Sequence, residues 1–251
     1  MNQLVKYRRE FHHYPENGWR EYRTSARIAE ILTGLGYTVS MGPDVIEPDS
    51  VGAPERLSQE QIQAEMERAV RQGANPEFVA KTKGWPGVMA VLDTGREGPV
   101  SAMRFDIDCL PYDEPQKKGY RPYDEGYFSC NPQSVHACGH DGHTAIGLGI
   151  AEELLRQKDQ KRKEHLCGKI KLFFQPAEET FYGAQSIVDK GHLDDVMNFI
   201  AVHIALSAEN KPLPSHTIAC GCRDFLSDRQ LDVYLEGKAA HPCGASQDGK
   251  N

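Results

Sequence analysis

The sequence has few of the features that nucleic-acid-binding, membrane-spanning or secreted proteins require. Its 251 residues carry 36 acidic and 29 basic side chains, a formal net charge of -7, and therefore no basic excess for binding phosphates. It contains no run of about 18 apolar residues that could cross a membrane, and no apolar segment of a signal peptide follows the first ten residues. The seven cysteines are odd in number and irregularly spaced, unlike a disulfide framework. These absences predict a soluble cytoplasmic protein that binds neither nucleic acid nor membrane.

Helical and strand patterns alternate along the first 203 residues. Apolar residues at helical spacing follow Thr24 and end at Gly36, and Ser58 with Gln61 forms a capping-box pattern that predicts a helical insertion. Strands are predicted over residues 37–41, 88–92, 100–105, 169–174 and 199–203, the last two as buried strands, and further helices over residues 145–155 and 184–190. A tight turn at residues 93–95 joins the second strand to the third. This alternation predicts an α/β fold with a mostly parallel central sheet covered by helices on both faces.

The pattern changes beyond Cys220. Leu231, Val233 and Leu235 alternate with polar residues, as in a strand with one solvated face. We therefore expect one domain over residues 1–220 and the beginning of a smaller α+β domain over residues 221–251.

The densest chemical motif is the segment from residue 136 to residue 143. It contains His136, Cys138, His140, Asp141 and His143. Thiolate, imidazole and carboxylate groups are ligands for zinc, and similar sets also hold manganese, cobalt or nickel. A structural alternative for this segment alone is a polar loop that opens a helix, with a buried Cys138.

Three other groups of polar residues follow predicted strands. Asp106 and Asp108 follow the third strand, Glu178 and Glu179 follow the fourth, and His203 ends the fifth. Ligand sites in open α/β sheets favour this edge. Taken singly, these residues are more typical of turns and solvated surfaces, so the prediction depends on their joint occurrence. Because neighbouring side chains in an extended segment point to opposite sides, we expect one glutamate to bind metal and the other to face a water beside it.

Together these motifs resemble the metallopeptidase family of aminoacylases, carboxypeptidase G, hippurate hydrolases and plant auxin-conjugate amidohydrolases. The resemblance extends over essentially the whole chain and includes residues 8–13, 15–16, 104–108, 136–143, 175–179 and 239–241. The insertion between Gly42 and Gly87 is similar to that of the aminobenzoyl-glutamate hydrolase subgroup. The resemblance implies a zinc-peptidase-like catalytic domain, the beginning of a lid or dimerisation domain, and hydrolysis of the amide bond of an N-acyl amino acid. The implied substrate is p-aminobenzoyl-glutamate, cleaved to p-aminobenzoate and glutamate.

The resemblance also implies roles for individual residues. Two divalent metal ions, manganese or zinc, are expected, with these metal ligands: Cys138, His140, Glu179 and His203. Glu178 would be the general base, Asp108 would support the metal centre, and His241 would reach the active site of a partner subunit and stabilise the oxyanion. The implied partner is a second copy of the chain or a homologous subunit. The resemblance gives Asp106 and His143 no role.

Three departures from the family pattern leave alternatives open. Thr180, Phe181 and Tyr182 precede Gly183 where relatives have glycine directly after the paired glutamates, and Ser246 replaces a proline of the lid motif. The sequence also stops at Asn251, before a further metal-binding histidine of the family, as expected for a fragment of a longer protein or a truncated reading frame. The alternatives are a hippurate hydrolase or general N-acyl amino acid deacylase, or an inactive fragment or accessory subunit that pairs with a homologous chain.

Overall fold

A computed structural model describes residues 2–51, 57–159, 166–204, 207–208, 211–214 and 216–219. The chain divides into two compact units, Met1–Pro212 and Leu213–Asn251, and only a few residues of the second are described. The predicted domain boundary at residues 220–221 and the predicted strand around Leu231 lie outside the described residues and stay predictions.

Seven helices and seven strands occur among the described residues. The helices are α1 (Gln3–His13), α2 (Tyr22–Gly34), α3 (Gln59–Arg71), α4 (Pro76–Lys81), α5 (Arg121–Asp124), α6 (His140–Asp159) and α7 (Tyr182–Asp189). The strands are β1 (Thr38–Met41), β2 (Val88–Asp93), β3 (Val100–Asp106), β4 (Lys169–Gln175), β5 (Val196–Ala201), β6 (Ser207–Ala208) and β7 (Lys211–Pro212). Short 3-10 helices cover Gly42–Asp44 and Pro48–Ser50.

Strands β1 to β5 form one sheet in the order β1-β2-β4-β3-β5. Strand β4 is parallel to β3, β3 is parallel to β5, and β2 is antiparallel to both of its neighbours. Four of the five strands therefore run in one direction, which confirms the prediction of a mostly parallel sheet. The turn after β2 leads into β3, but β4 lies between these two strands, so the turn does not form a hairpin.

Both faces of the sheet are covered, as the near-continuous apolar character of its central strands requires. On one face, Leu172 and Phe174 of β4 belong to a buried cluster with residues of α1, α2 and α6. On the other, Phe173 packs in a second cluster with Val45 and with Ile187 of α7. Burying one such large apolar side chain contributes about 1.5–3 kcal/mol. Successive side chains of β4 thus point to opposite faces of the sheet and pack against the helices on each face.

The predicted insertion is helical. Ser58 accepts a hydrogen bond from the backbone N–H of Gln61, whose side chain in turn accepts from Ser58 N–H, so the predicted capping box is present at the start of α3. A separate apolar cluster, containing Ala69 and Val79, joins α3 and α4 to α2. The insertion therefore packs beside α2.

One strand prediction is partly wrong. The strand predicted over residues 199–203 exists as β5, but Phe199 and Ile200 are half-exposed rather than buried. β5 lies at the edge of the sheet, and in the described part of the chain Val196, at its start, is the one β5 residue that packs against a cluster of buried apolar residues. Its apolar composition indicates a strand but not its position in the sheet. No helix among the described residues is long and apolar enough to span a membrane.

Candidate metal centre

The predicted site residues meet at one edge of the sheet. Strands β3, β4 and β5 are parallel, so their carboxyl ends lie side by side. Asp106 ends β3, Glu178 and Glu179 follow β4, and His203 follows β5. Helix α6 begins at His140 beside them. The sheet thus brings together residues that are up to 97 positions apart, from Asp106 to His203.

Asp108 connects two of the expected metal ligands. Its Oδ1 lies 3.0 Å from Nδ1 of His140, and its Oδ2 accepts a hydrogen bond of 2.8 Å from the backbone N–H of Glu179. Asp108 and His140 are fully buried. The contact to Nδ1 fixes the imidazole ring and leaves its Nε2 directed toward the carboxylates after β4. This geometry suits the supporting role expected of Asp108.

Glu178 and Glu179 both direct their carboxylates toward His140. The prediction that the two side chains point to opposite sides of the backbone is therefore wrong. Nε2 of His140 is 3.6 Å from a carboxylate oxygen of Glu179 and 3.9 Å from one of Glu178. The extended conformation ends at Gln175, and Ala177 has a φ of 52°. Alternation of side chains applies only to extended backbone, and here the chain turns.

The turn after β4 also explains the shifted glycine. A Cβ at Gly183 would lie 1.7 Å from the carbonyl oxygen of Pro176, and Gly183 N–H donates to the carbonyl oxygen of Ala177. Only glycine permits this approach of the two backbones. The additional residues before Gly183 include Phe181, which has a φ of 73° and is half-exposed.

Cys138 and His203 lie beside each other and close to His140. Sγ of Cys138 is 3.6 Å from Nε2 of His203, and the rings of His140 and His203 are perpendicular, with centroids 6.1 Å apart. One donor atom from each of the three residues lies within 4.8 Å of the others. These ligands are therefore already close to one another.

Sequence reasoning gave no role to Asp106 and His143, but the structure connects both to the centre. Nδ1 of His143 contacts Asp106, and its Nε2 accepts a hydrogen bond of 2.8 Å from the backbone N–H of Ile204. Both ring nitrogens are therefore engaged, which leaves no lone pair of His143 for a metal. The side chain of Ile204 also lies where a Cβ at Gly139 or Gly142 would clash with it. His143 and the two glycines thus position the residue next to His203.

Arg104 is a third residue to which the sequence alone gave no role. Its guanidinium lies 2.7 Å from Asp106 and 3.9 Å from Glu178, and its Nε donates to the side chain of Gln175. The position on β3, two residues before Asp106, was the available signal. Arg104 supplies positive charge beside a cluster of carboxylates.

The electrostatics of the centre reflect this crowding of acidic groups. Burial alone would lower the pKa of His140, but its hydrogen bond to Asp108 and the charge of Asp106 raise that pKa to about 9. Burial and the charge of Asp106 raise the pKa of Glu178. Burial and Glu179 raise the pKa of the Cys138 thiol to about 12. All these groups lie where a cation would be favourable.

The donor set fits a transition-metal ion. Nε2 of His140 and Oε1 of Glu179 are buried and have no hydrogen-bond partner in the described part of the chain. A buried polar atom without a partner is costly, and metal coordination would satisfy both. Sulfur, imidazole and carboxylate donors are those that zinc and similar ions take. His241 lies outside the described residues, and its role stays a prediction.

The sequence that builds this centre matches a known protein family. Residues 102–233 match Peptidase family M20/M25/M40. The chain belongs to this peptidase family. The matched residues begin in β3 and include all four expected metal ligands.

Curated relatives match nearly the whole chain. One of the subunits of p-aminobenzoyl-glutamate hydrolase from Escherichia coli (strain K12) is 44% identical over 250 residues, covering 99% of this chain and 54% of the relative. Indole-3-acetyl-aspartic acid hydrolase of Enterobacter agglomerans is 42% identical, covering 100% of this chain and 55% of the relative. The chain thus spans about half the length of the curated relatives it matches.

Solved structures show the same fold. The aminobenzoyl-glutamate utilization protein from Klebsiella pneumoniae has a TM-score of 0.63 and 40% identity, covering 80% of this chain and 43% of that one. A dinuclear metal-binding peptidase of the M20 family from Bacillus subtilis has a TM-score of 0.56 and 26% identity, covering 80% and 42%. These likenesses confirm the predicted fold and family.

Proposed function

We propose that the chain carries the metal-binding and water-activating part of an amidohydrolase that cleaves N-acyl amino acids. The observation that supports it is the cluster at the carboxyl edge of β3, β4 and β5. There, Nε2 of His140 and Oε1 of Glu179, two possible metal-ligand atoms without a hydrogen-bond partner in the described part of the chain, lie 3.6 Å apart. In this proposal Cys138, His140, Glu179 and His203 hold the metal. Two divalent ions, manganese or zinc, are proposed because a family relative of known structure is a dinuclear metal-binding peptidase.

When bound, such ions polarise a carbonyl and lower the pKa of a coordinated water. The contribution of this chain is to position the groups around that water. Asp108 orients His140 and the backbone of Glu179. The Glu178 carboxylate lies slightly farther from Nε2 of His140, at 3.9 Å, than the Glu179 carboxylate, at 3.6 Å. Glu178 is partly exposed, so its carboxylate can take a proton from water and later return it to the leaving amine. His241 is proposed to stabilise the oxyanion.

The proposed substrate is p-aminobenzoyl-glutamate. Two relatives of nearly equal identity are named for this compound and for indole-3-acetyl-aspartic acid. Both compounds join an aromatic acyl group to a dicarboxylic amino acid. This shared chemistry favours an acidic amino acid product, which separates both candidates from the hippurate alternative, whose amino acid is glycine. The acyl group separates the two candidates from each other.

A substrate panel tests the proposal. The metal-loaded protein is assayed for amine release from p-aminobenzoyl-glutamate, indole-3-acetyl-aspartate and hippurate, and its metal content is measured on the same sample. We expect the highest kcat/KM on p-aminobenzoyl-glutamate, and loss of activity after chelation. Preference for hippurate would contradict the proposed substrate. Normal metal content without hydrolysis of any of the three would instead favour an accessory role.

The proposed partner is a second copy or a homologous subunit, in the cytoplasm. The support is the name of the Escherichia coli relative, which describes one of the subunits of a hydrolase. Light scattering of the chain alone and mixed with a homologous subunit distinguishes the two kinds of dimer. A mass of one chain under both conditions would contradict the proposal.

A further inference from the structure

The turn that carries Glu178 and Glu179 has an unfavourable backbone conformation. Ala177, the residue before the pair, is fully buried and has a φ of 52°. Positive φ is unfavourable for a residue other than glycine and persists only where its surroundings hold it. Something in the structure must therefore stabilise this turn.

Besides the Gly183 N–H that donates to its carbonyl oxygen, Ala177 is held by a side chain from another element, Glu21. Oε1 of Glu21 accepts a hydrogen bond of 2.7 Å from the backbone N–H of Ala177, 156 residues later in the chain. The Glu21 side chain is fully buried. Placing a carboxyl group there is costly unless it makes a specific contact.

The Glu21 side chain does not cap the helix that it precedes. It occupies the N-cap position of α2, where a side chain normally accepts from the first turn, but it makes no such bond. Glu16 does so instead, because its two carboxylate oxygens accept from the backbone N–H groups of Arg23 and Thr24, at 3.0 and 2.7 Å. The Glu21 carboxyl is thereby left for the turn after β4.

A second buried carboxylate holds the other end of the turn. Asp108 accepts from the N–H of Glu179, so the backbone amides on both sides of Glu178 are fixed by acidic side chains. The position of the Glu178 carboxylate relative to His140 depends on this double attachment. A shift of about 1 Å in such a group can lower turnover by roughly 10²-fold.

We propose that Glu21 is a positioning residue that fixes the Glu178–Glu179 turn by accepting the hydrogen bond from Ala177. The inference rests on the proposed roles of Glu178 and Glu179. Burial and the nearby charge of Asp108 raise the pKa of Glu21 well above its ordinary value. A glutamine side chain has the same length and also offers a carbonyl oxygen, so it can replace Glu21 as the acceptor of the Ala177 N–H.

The test compares Glu21→Gln, which keeps an acceptor, with Glu21→Met, which keeps the length without one. Glu16→Gln is the matched control, because the buried Glu16 carboxyl caps α2 and makes no described contact with the turn. The measurements are kcat and KM on p-aminobenzoyl-glutamate, metal affinity by chelator competition, and hydrogen exchange of the Ala177 amide. Exchange is measured on folded protein and needs no activity.

We expect Glu21→Met to lower kcat by roughly 10- to 100-fold with little change in KM, and to accelerate exchange at Ala177 by about 5-fold or more. Glu21→Gln should keep both values within a few-fold of the original protein. Glu16→Gln should lower the melting temperature without changing kcat of the folded fraction. If Glu21→Met does not fold, Glu21→Asp, whose shorter side chain withdraws the acceptor, takes its place.

Unchanged Ala177 exchange and unchanged kcat in Glu21→Met would overturn the proposal. A Glu21→Gln variant as impaired as Glu21→Met would also overturn it, since the charge rather than the acceptor would then matter. If Glu21→Met exchanges faster at Ala177 but the original protein hydrolyses none of the substrates, the result would support the role of Glu21 in fixing the turn and contradict the proposed function. The two failures are therefore distinguishable.

Discussion

At the scale of single residues, the side chains of the centre are oriented by neighbours on other elements. Asp108 uses one oxygen for His140 and the other for the backbone of Glu179. His143 uses one nitrogen for Asp106 and the other for Ile204. Such supporting contacts fix ligand orientation before a metal binds, which lowers the entropy lost on binding.

Adjacent glutamates should respond differently to substitution. Glu178→Gln keeps the size of the side chain but removes the proton acceptor, so we expect turnover to fall by roughly 10² to 10⁴ while metal content is retained. Glu179→Ala, the matched control, removes a ligand and should lower metal per chain together with activity. Metal analysis and hydrolysis of p-aminobenzoyl-glutamate check both. Normal turnover in Glu178→Gln would exclude Glu178 as the essential base.

Asp108→Asn tests the support of the ligands. Asp108 accepts two hydrogen bonds, and an asparagine side chain has a single carbonyl oxygen, so one of the two contacts is lost. We expect metal affinity to weaken by roughly 10- to 100-fold, measured by chelator competition. Asp194→Asn, an exposed change before the start of β5, serves as the control. Equal affinity in both variants would show that Asp108 does not support the ligands.

At the scale of elements, residues of the metal centre lie at the ends of helices and strands. Helix α6 begins at His140, and β3 ends at Asp106, so the motifs coincide with element boundaries. The insertion is stabilised differently, by its own capping box and by an apolar cluster with α2. The stability of α3 should therefore respond to its cap without affecting the metal centre.

Ser58→Ala removes that cap. We expect the free energy of unfolding to fall by about 1 kcal/mol, because the N–H of Gln61 loses its acceptor. Urea denaturation measures the change, with the exposed neighbour Gln59→Ala as the control. Metal affinity should be unchanged in both variants. A Ser58→Ala protein as stable as the control would show that the capping box contributes nothing measurable.

At the scale of the whole molecule, the sheet connects folding to metal binding. The expected ligands come from the loop before α6, α6 itself, the turn after β4 and the segment after β5. An ion that joins all of these binds the folded state and hardly the unfolded one. Metal should therefore stabilise the entire compact unit rather than one loop.

Thermal denaturation with and without metal tests this linkage. At a free zinc or manganese concentration about 100 times Kd, we expect the folded state to gain about 2.7 kcal/mol, seen as a higher melting temperature. His140→Ala should abolish the shift, since this residue lies at the middle of the ligand set. An equal shift in His140→Ala would place the bound metal elsewhere.

Local sequence was sufficient to predict most elements and the chemical character of the site. Helical periodicity, the Ser58 capping box and apolar runs depend on contacts within a few residues, so they can be read locally. The family resemblance, carried by residues 136–143 and 175–179, was likewise a property of the sequence.

How distant residues meet became visible only in the folded chain. The insertion of β4 between β2 and β3, the exposure of β5, and the left-handed turn at Ala177 depend on which strands pair and on what packs around them. The roles of Asp106, His143 and Glu21 depend on hydrogen bonds between distant parts of the chain. Asp106 contacts His143, 37 positions later, His143 contacts Ile204, 61 positions later, and Glu21 contacts Ala177, 156 positions later. Such contacts leave no local pattern, because any buried carboxyl or imidazole group satisfies its hydrogen bonds with whatever the fold brings near it.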